Sequence, residues 1–458
     1  MTERNLAAAQ DKMRAAGVSE PAIEAFGHYY GQLEQGVSGL IREADIEPLV
    51  DPPRLADVTV DPVEGAAALD RTVLIRLNGG LGTSMGMDRA KSLLPVRGEL
   101  RFLDVIVEQV RAARAAYGVR LPLLLLDSFR TREDSLAALA AYPDLPVAGL
   151  PLDLLQSQEP KLLAEDLSPA LWPARPELEW CPPGHGDLYP TLLASGLLDR
   201  LIEAGFRYAN AANADNLGAA PDPVLAGWFA SSGAPYAAEV CRRTAADRKG
   251  GHLAWRRSDR RLILRDTAQT APEDMDHFTD EHRHPYFHTN NLWFDLHALR
   301  EKLVERRGVL GLPLIRNDKR VDPTDPNSPA VVQIETAMGA AVEVFEGARA
   351  IVVERERFLP VKTTDDLLLV RSDVYRLDAA SRLVRTRERA PLVALDKRHF
   401  ARIADFDARF PAGVPSLREA DSLTVHGDWT FGRGVVVRGD GRLADTGAPA
   451  RVADGAVL

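Results

Sequence analysis

The sequence predicts an α/β fold with a mixed, mostly parallel sheet, an N-terminal helical segment and a small C-terminal all-β domain. Three observations carry that expectation. From about residue 70 short apolar runs alternate with amphipathic stretches. This β-α-β-α rhythm needs crossover connections, which make neighbouring strands parallel and put helices on both faces. The first of these strands feeds a glycine-rich loop, Asn78-Gly79-Gly80-Leu81-Gly82, and open α/β sheets bind ligands where such loops leave the strands. Beyond about residue 385 apolar and polar residues alternate between Gly and Asp turns, the texture of short strands at close intervals and consistent with a β-helix.

With 458 residues the chain exceeds one ordinary domain. The texture divides it into a helical segment with linker (1–69), a sheet domain (70–384) and the β-rich end (385–458). Apolar content of 45% and charged content of 27% are those of a soluble globular protein. A net charge of −10 excludes the basic field of a nucleic-acid-binding surface; a phosphorylated small molecule needs only a few local cations. No stretch has the length of a membrane span, and the charged N-terminus lacks the apolar core of a signal peptide. Cys181 and Cys241 show no metal spacing. A reduced, cytoplasmic setting is expected.

The elements follow in order. Residues 1 to about 50 read as helical, with Met13, Ile23, Phe26, Leu33 and Leu40 at roughly helical spacing, a packing layer rather than a site. Pro48, Pro52 and Pro53 end it and open an extended linker. Residues 73–77 form the first strand. A helix over 102–116 has Phe102, Val105, Ile106, Gln109 and Val110 on its inner face. The run LPLLLLD at 121–127 supplies apolar residues to both sheet faces, as a buried parallel strand must. Helices are expected at 131–141, with Thr131 as N-cap and Asp134 three residues on, and at 188–204. A strand covers 208–213, and further strands are expected at 235–241, 262–265, 290–295, 330–334 and 350–354. Pro411 and Pro415 mark the entrance to the C-terminal domain.

Five segments carry chemistry. Gly79, Gly80, Gly82 and Gly86 let backbone N–H groups approach a polyanion, because no Cβ stands in the way. Lys91, one of only eight lysines, can serve as a point cation on phosphate. The loop matches neither GxxxxGK[ST] nor GxGxxG. In WCPPGHGDLYP (180–190) small residues would let a base or sugar lie against backbone, with His185 offering a directed hydrogen bond. Asp187 reads as the cap of the following helix. In YANAANADNLG (208–218) Asp215 sits just past a strand, where a carboxylate can meet Mg²⁺ and phosphate. The same Asn/Asp density fits an Asx turn equally well. HTNNLW (288–293) presents paired amides suited to sugar hydroxyls, or to a turn. RFLPVKTTDD (357–366) puts Lys362 before a helix cap at Thr363 or Thr364, as a second phosphate cation or an exposed lysine.

Taken together, LNGGLGTSMG with Lys91, FLD at 102–104, PPGHGDLYPTL, NADNLGA, TNNLW, QIETAMGAA and FLPVKTTDDLLLVRSD resemble the eukaryotic-type UTP–glucose-1-phosphate uridylyltransferases, or UDP-glucose pyrophosphorylases. The resemblance runs through most of residues 70 to 430 in one order. It implies a Rossmann-like nucleotidyltransferase domain with a C-terminal left-handed β-helix, and a reaction of UTP with glucose 1-phosphate that yields UDP-glucose and pyrophosphate with Mg²⁺. It implies that Leu77, Asn78, Gly79 and Gly80 hold the nucleotide, with Lys91 on its phosphates. Gln156 would read uracil with Gly184 against the base, and Asn213 and Asp215 would lie near the ribose and the metal. His185 would contact the sugar phosphate, Asn290 and Glu335 the glucose, and Lys362 the phosphates.

Such a reaction brings two anions together, so positioning and electrostatic stabilisation do nearly all the catalysis. Lys91, Lys362 and Mg²⁺ on Asp215 are the groups the resemblance offers for that work. No general base is needed, because a sugar phosphate is already ionised near neutral pH. Two departures stand out. Arg89-Ala90 replaces the family's Gly-Pro before the motif lysine, and His288 stands where NTNN is common. The C-terminal segment, which can mediate oligomerisation in the family, is shorter than in most eukaryotic members, so the sequence leaves the oligomeric state open. Other readings are a pyrophosphorylase of another sugar 1-phosphate, such as N-acetylglucosamine 1-phosphate, and a non-catalytic nucleotide-sugar-binding protein.

Overall fold

The computed structural model describes residues 2–37, 39–244, 247 and 250–458. Among them seven strands form the central sheet: β1 (Thr72–Leu77), β2 (Leu123–Asp127), β3 (Asp153–Leu155), β4 (Tyr208–Asn213), β5 (Tyr236–Arg242), β6 (Tyr286–Asp295) and β7 (Arg349–Val352). Their order is β7-β5-β6-β4-β1-β2-β3. Only β6 runs antiparallel to its neighbours; the remaining pairs are parallel. The chain therefore leaves β1 in one direction for β2 and β3, then returns to the other side for β4. A crevice forms at such a reversal, outside the carboxyl ends of the strands.

Alternation along the strands builds a core on each face. Leu74, Leu123, Leu125, Ala237 and Trp293 face helices Pro62–Asp70, Phe102–Tyr117 and Pro223–Ser232. Val73, Ile75, Leu124, Leu126 and Phe294 face helices Leu188–Ala194, Leu197–Glu203 and Leu296–Glu305. This is the two-faced burial that the uninterrupted apolar run of β2 requires. Phe102, Val105, Ile106, Gln109 and Val110 are all buried. Gln109 holds its place on that face through its amide, which donates to the carbonyls of Leu217 (3.0 Å) and Ser381 (3.1 Å).

The N-terminal segment is two helices, Thr2–Ala15 and Glu20–Glu34. Met13, Ile23, Phe26 and Leu33 pack against Leu162, Val332 and Ile334, which lie in a separate antiparallel sheet made of Leu162–Leu163, Ala330–Glu335 and Ile315–Arg320. Leu40 departs from the expectation: it lies beyond the helix and is exposed. The stretch 188–204 is also not one helix. Gly196 adopts a left-handed φ of 68° and ends one short helix before the next begins, as a glycine C-cap does. Strands 262–265 and 330–334 exist but belong to small antiparallel sheets beside the central one.

Toward the C-terminus strands Leu392–Leu395, Ser416–Val425 and Val436–Leu443 pair in parallel, as do Trp429–Phe431 and Ala450–Val452. Parallel stacking of strands is the β-helical pattern expected, though helices Lys397–Phe400 and Ile403–Arg409 separate the first strand from the second. Its first strand precedes Pro411, so the prolines lie within this part and not at its entrance. Leu395, Leu417, Leu423, Phe431 and Val452 join the same apolar cluster as Leu74 and Val105.

Candidate active site

The glycine loop after β1 is fixed by its own backbone. Asn78 N–H donates to the Leu126 carbonyl (2.8 Å) and Lys91 N–H to the Gly80 carbonyl (3.1 Å). The lysine thus folds back over the loop. Of the departing pair Arg89-Ala90, Ala90 is fully buried and stands at the start of the short helical turn that carries Lys91. Lys91 Nζ lies 2.6 Å from Asp215 Oδ2, both side chains being largely buried. The second carboxylate oxygen, Asp215 Oδ1, is buried and has no hydrogen-bond partner among the described residues.

A cleft of about 330 Å³ opens at the carboxyl ends of β1, β2 and β4. Leu77, Asn78, Gly79, Gly80, Lys91, Gln156, Gly184, Asn213 and Asp215 all line it, as does His185. The three remaining candidates do not line the cleft, though Asn290 and Glu335 touch residues that do. Asn290 Nδ2 donates to Asn213 Oδ1 at 3.1 Å. Glu335 sits beside Gly184, where an added Cβ would lie 3.1 Å from its own Cβ. Lys362 is exposed and follows Val361, whose N–H donates to the Asp215 carbonyl at 3.3 Å. Burial raises the pKa of Asp266, and the nearby Lys362 ammonium partly offsets that rise.

The local geometry revises several readings. The Asn78 amide donates to Asp127 Oδ1 (2.6 Å) and Ser135 Oγ (2.7 Å), so its side chain anchors the loop. Thr131 makes no side-chain cap; its hydroxyl bonds Asp127 and Ser128 instead. Asp187 does not cap its helix either. Its carboxylate accepts from Ser157 N–H (2.7 Å), Ser157 Oγ (3.1 Å) and Thr191 Oγ1 (2.9 Å), which holds the segment carrying Gln156. An Asx-type bond exists in the 213–218 turn, but Asn216 makes it, accepting from Gly218 N–H at 3.2 Å. Asp215 is left to Lys91. Thr363 caps its helix in a capping box with Asp366, one of the two alternatives expected.

Gly184 and Gly186 have no room for a side chain on the Thr336 side. A Cβ on Gly184 would lie 2.5 Å from the Thr336 carbonyl oxygen, and one on Gly186 would lie 2.3 Å from Thr336 Oγ1. Thr336 N–H donates to the Pro183 carbonyl, and Gly186 N–H to the Thr336 carbonyl, so the loop is zipped to the end of strand Ala330–Glu335. Gln156 Nε2 donates to the Gly184 carbonyl. His185 accepts the Met338 N–H on Nδ1 at 2.9 Å, which leaves its proton on Nε2. Burial lowers its pKa to about 4, so it is a neutral hydrogen-bond donor at physiological pH.

The HTNNLW segment is neither a turn nor a plain strand. It lies inside β6, where pairing with β5 shifts between Ala238 and Val240. Asn290 takes a left-handed φ of 61° at this bulge, a conformation Asn tolerates better than most residues. Bulges re-aim side chains next to sites, and this one swings Asn290 to Asn213.

Sequence reasoning misses Thr336, Met338, Glu239 and Arg357. A usable signal exists for Glu239 and for Arg76. Each is a lone charge inside an apolar strand, and both are fully or almost fully buried. Such groups are retained only with partners.

The profile of a family described as UTP–glucose-1-phosphate uridylyltransferase matches residues 24–438. The UTP–glucose-1-phosphate uridylyltransferase of Solanum tuberosum is 39% identical over 411 residues, covering 88% of this chain and 83% of that protein. A probable enzyme of the same name from Schizosaccharomyces pombe is 37% identical over 401 residues, covering 85% and 78%. A crystal structure of UDP-glucose phosphorylase from Trypanosoma brucei aligns with a TM-score of 0.92 at 40% identity, over 99% of this chain and 98% of that one. A variant of UDP-glucose pyrophosphorylase from Leishmania major, in complex with UDP-glucose, aligns with the same TM-score, identity and coverage.

Proposed function

The chain belongs to the UTP–glucose-1-phosphate uridylyltransferase family, and from that membership we propose that it joins UTP and glucose 1-phosphate to give UDP-glucose and pyrophosphate. The carrying observation is the Lys91–Asp215 pair set against Gly80 in the crevice where the strand order reverses. A phosphate oxygen of glucose 1-phosphate attacks the α-phosphorus of UTP in line. The new P–O bond forms as the bond from the α-phosphorus to the bridging oxygen breaks, and pyrophosphate leaves with that electron pair.

In this reading each residue takes the task that the family resemblance assigns it. Gly79 and Gly80 expose backbone to the nucleotide, and nothing lies within 4 Å of a Cβ built on Gly80. Gln156, held by Gly184, reads the uracil edge. Asn213 faces the ribose. His185 donates from Nε2 to the sugar phosphate, and Asn290 and Glu335 hold the glucose hydroxyls. Lys91 and Lys362 offset the mutual repulsion of the two anions and the charge that develops as they react.

The donors also suit Mg²⁺. Among the described residues no three of His, Cys, Asp and Glu converge into a cage. Mg²⁺ is commonly held by one or two carboxylates together with substrate phosphates and water, and Asp215, whose Oδ1 has no hydrogen-bond partner among the described residues, would supply such a carboxylate. When bound there, Mg²⁺ supplies Lewis-acid charge on the phosphates. The Lys91 ammonium already shares that carboxylate, so it competes with a cation for it. Lys91→Gln is therefore expected to tighten Mn²⁺ binding to the nucleotide-free protein about tenfold, read by Mn²⁺ paramagnetic resonance. Unchanged affinity would remove Asp215 as the ligand.

Pyrophosphate release from UTP tests the reading directly, with glucose 1-phosphate, N-acetylglucosamine 1-phosphate and other sugar phosphates in turn, with and without Mg²⁺. Release greatest with glucose 1-phosphate is expected. UDP-glucose binding without release from any sugar phosphate would instead identify a binding protein. Among the described residues no helix is long and apolar enough to cross a membrane, and both cysteines are buried free thiols. These features support a cytoplasmic location.

A further inference from the structure

Two segments flank the reacting groups. One follows β4 and carries Asp215; the other runs from Arg357 to Lys362. They lie antiparallel, with a bridge between Asn216 and Pro360 and the Val361 N–H on the Asp215 carbonyl. The Asn216 side chain is fully engaged between them. Its Nδ2 donates to Asn291 Oδ1 (3.0 Å) and to the Arg357 carbonyl (3.1 Å). Its Oδ1 accepts from Leu359 N–H (2.8 Å) and Gly218 N–H (3.2 Å). Gly218 allows the approach, since a Cβ there would lie 2.3 Å from the Glu356 carbonyl oxygen.

Beneath Asn216 lies a buried ion pair. Glu239 on β5 is 0% exposed and accepts from Arg357 Nε (2.7 Å) and Nη2 (3.0 Å), from Trp293 Nε1 (3.0 Å) and from Asn291 Nδ2 (3.2 Å). Arg357 Nη1 continues to the Ala220 carbonyl at 3.1 Å. A buried ion pair is weak evidence for stability, because apolar replacements of similar volume often do as well; its best-attested use is to specify one registry. Here the registry is that of the Lys362 segment against the Asp215 turn.

We propose that Asn216, seated on the Glu239–Arg357 pair, is a positioning residue that holds Lys362 in register with Asp215. The inference rests on the phosphate role given to Lys362 above. The Asp215 turn is independently tied to β1, by Ala214 N–H on the Leu77 carbonyl, and closed by Asn216 N–H on the Asn213 carbonyl. Loss of the Asn216 amide therefore frees chiefly the lysine segment.

The test is a double-mutant cycle on the full chain, read as kcat and as KM for UTP. Asn216→Ala is expected to lower kcat about a hundredfold, the scale of an ångström-sized misplacement, with KM for UTP unchanged. The same substitution in a Lys362→Ala background is expected to cost almost nothing, because no ammonium remains to be positioned. Equal losses in both backgrounds, or an unchanged kcat for Asn216→Ala, would overturn the inference. A normal kcat for Lys362→Ala alone would refute the role of that lysine first, and the inference with it. Should Asn216→Ala not fold, Asn216→Ser carries the cycle, since its hydroxyl keeps part of the bonding; the same outcomes decide.

Discussion

Lys91→Ala is expected to lower kcat by roughly a thousandfold, the scale on which one preorganised electrostatic group acts on a developing charge. The lysine is already in place before substrate arrives. Its N–H is on the Gly80 carbonyl and its ammonium is 2.6 Å from Asp215. A hydrogen bond between charged groups is worth about 1.5–3 kcal/mol, so phosphate must match that bond to draw the ammonium away. Alanine removes the cation and leaves the Asp215 carboxylate facing an incoming polyanion, so KM for UTP should rise as well. Lys91→Arg should not restore the rate, because a planar guanidinium does not occupy the site of a compact ammonium. Steady-state pyrophosphate release with circular dichroism as a folding control measures this. A loss below tenfold in a folded Lys91→Ala variant would take the lysine out of the mechanism.

Gly184→Ala should be comparably damaging for an unrelated reason. Gly184 has φ 78° and ψ 173°, a region essentially restricted to glycine, whose occupation by other residues costs about 1–3 kcal/mol. The added Cβ would also stand 2.5 Å from the Thr336 carbonyl oxygen and 2.7 Å from its nitrogen. Backbone cannot yield as a side-chain tip can, so the loop must lift. Gln156 then loses its acceptor and His185 leaves Met338. We expect a clear fall in melting temperature together with a loss of turnover of at least a hundredfold. Gly80→Ala provides the contrast. Its Cβ meets nothing within 4 Å, so melting should be unchanged while nucleotide affinity drops. Equal melting temperatures for the Gly184→Ala variant and the parent would show that the loop is not held as described.

The parts of the site that lie close along the chain are legible in the sequence. A strand feeding a glycine loop, His185 between two glycines, and Asp215 just past a strand of small residues are local patterns, and local backbone chemistry determines them. The same local reasoning goes astray where a side chain has two possible partners. Asp187 and Thr131 stand at helix starts and have capping chemistry, yet both are spent on other bonds: Asp187 on Ser157, thirty residues away in the chain, and Thr131 on Asp127 at the end of β2. Asn216 makes the turn bond that Asp215 could have made. The helix over 188–204 reads as continuous because its apolar spacing persists across Gly196.

Residues such as Gln156 and Asn213 are nominated only by the resemblance to a known family. Order along the chain, apolar periodicity and glycine placement are enough to establish a parallel α/β sheet with a β-rich end and to single out the glycine loop, His185 and Asp215. These are properties of short segments, dictated by backbone sterics and the burial of alternating faces. Only the tertiary structure decides which nominated groups meet. Lys91 and Asp215 are 124 residues apart, Gly184 depends on Thr336, and Lys362 is registered through Glu239 and Arg357. Such pairings follow from how strands order themselves in the sheet and from the need of every buried charge to find a partner, and neither is written in any one segment.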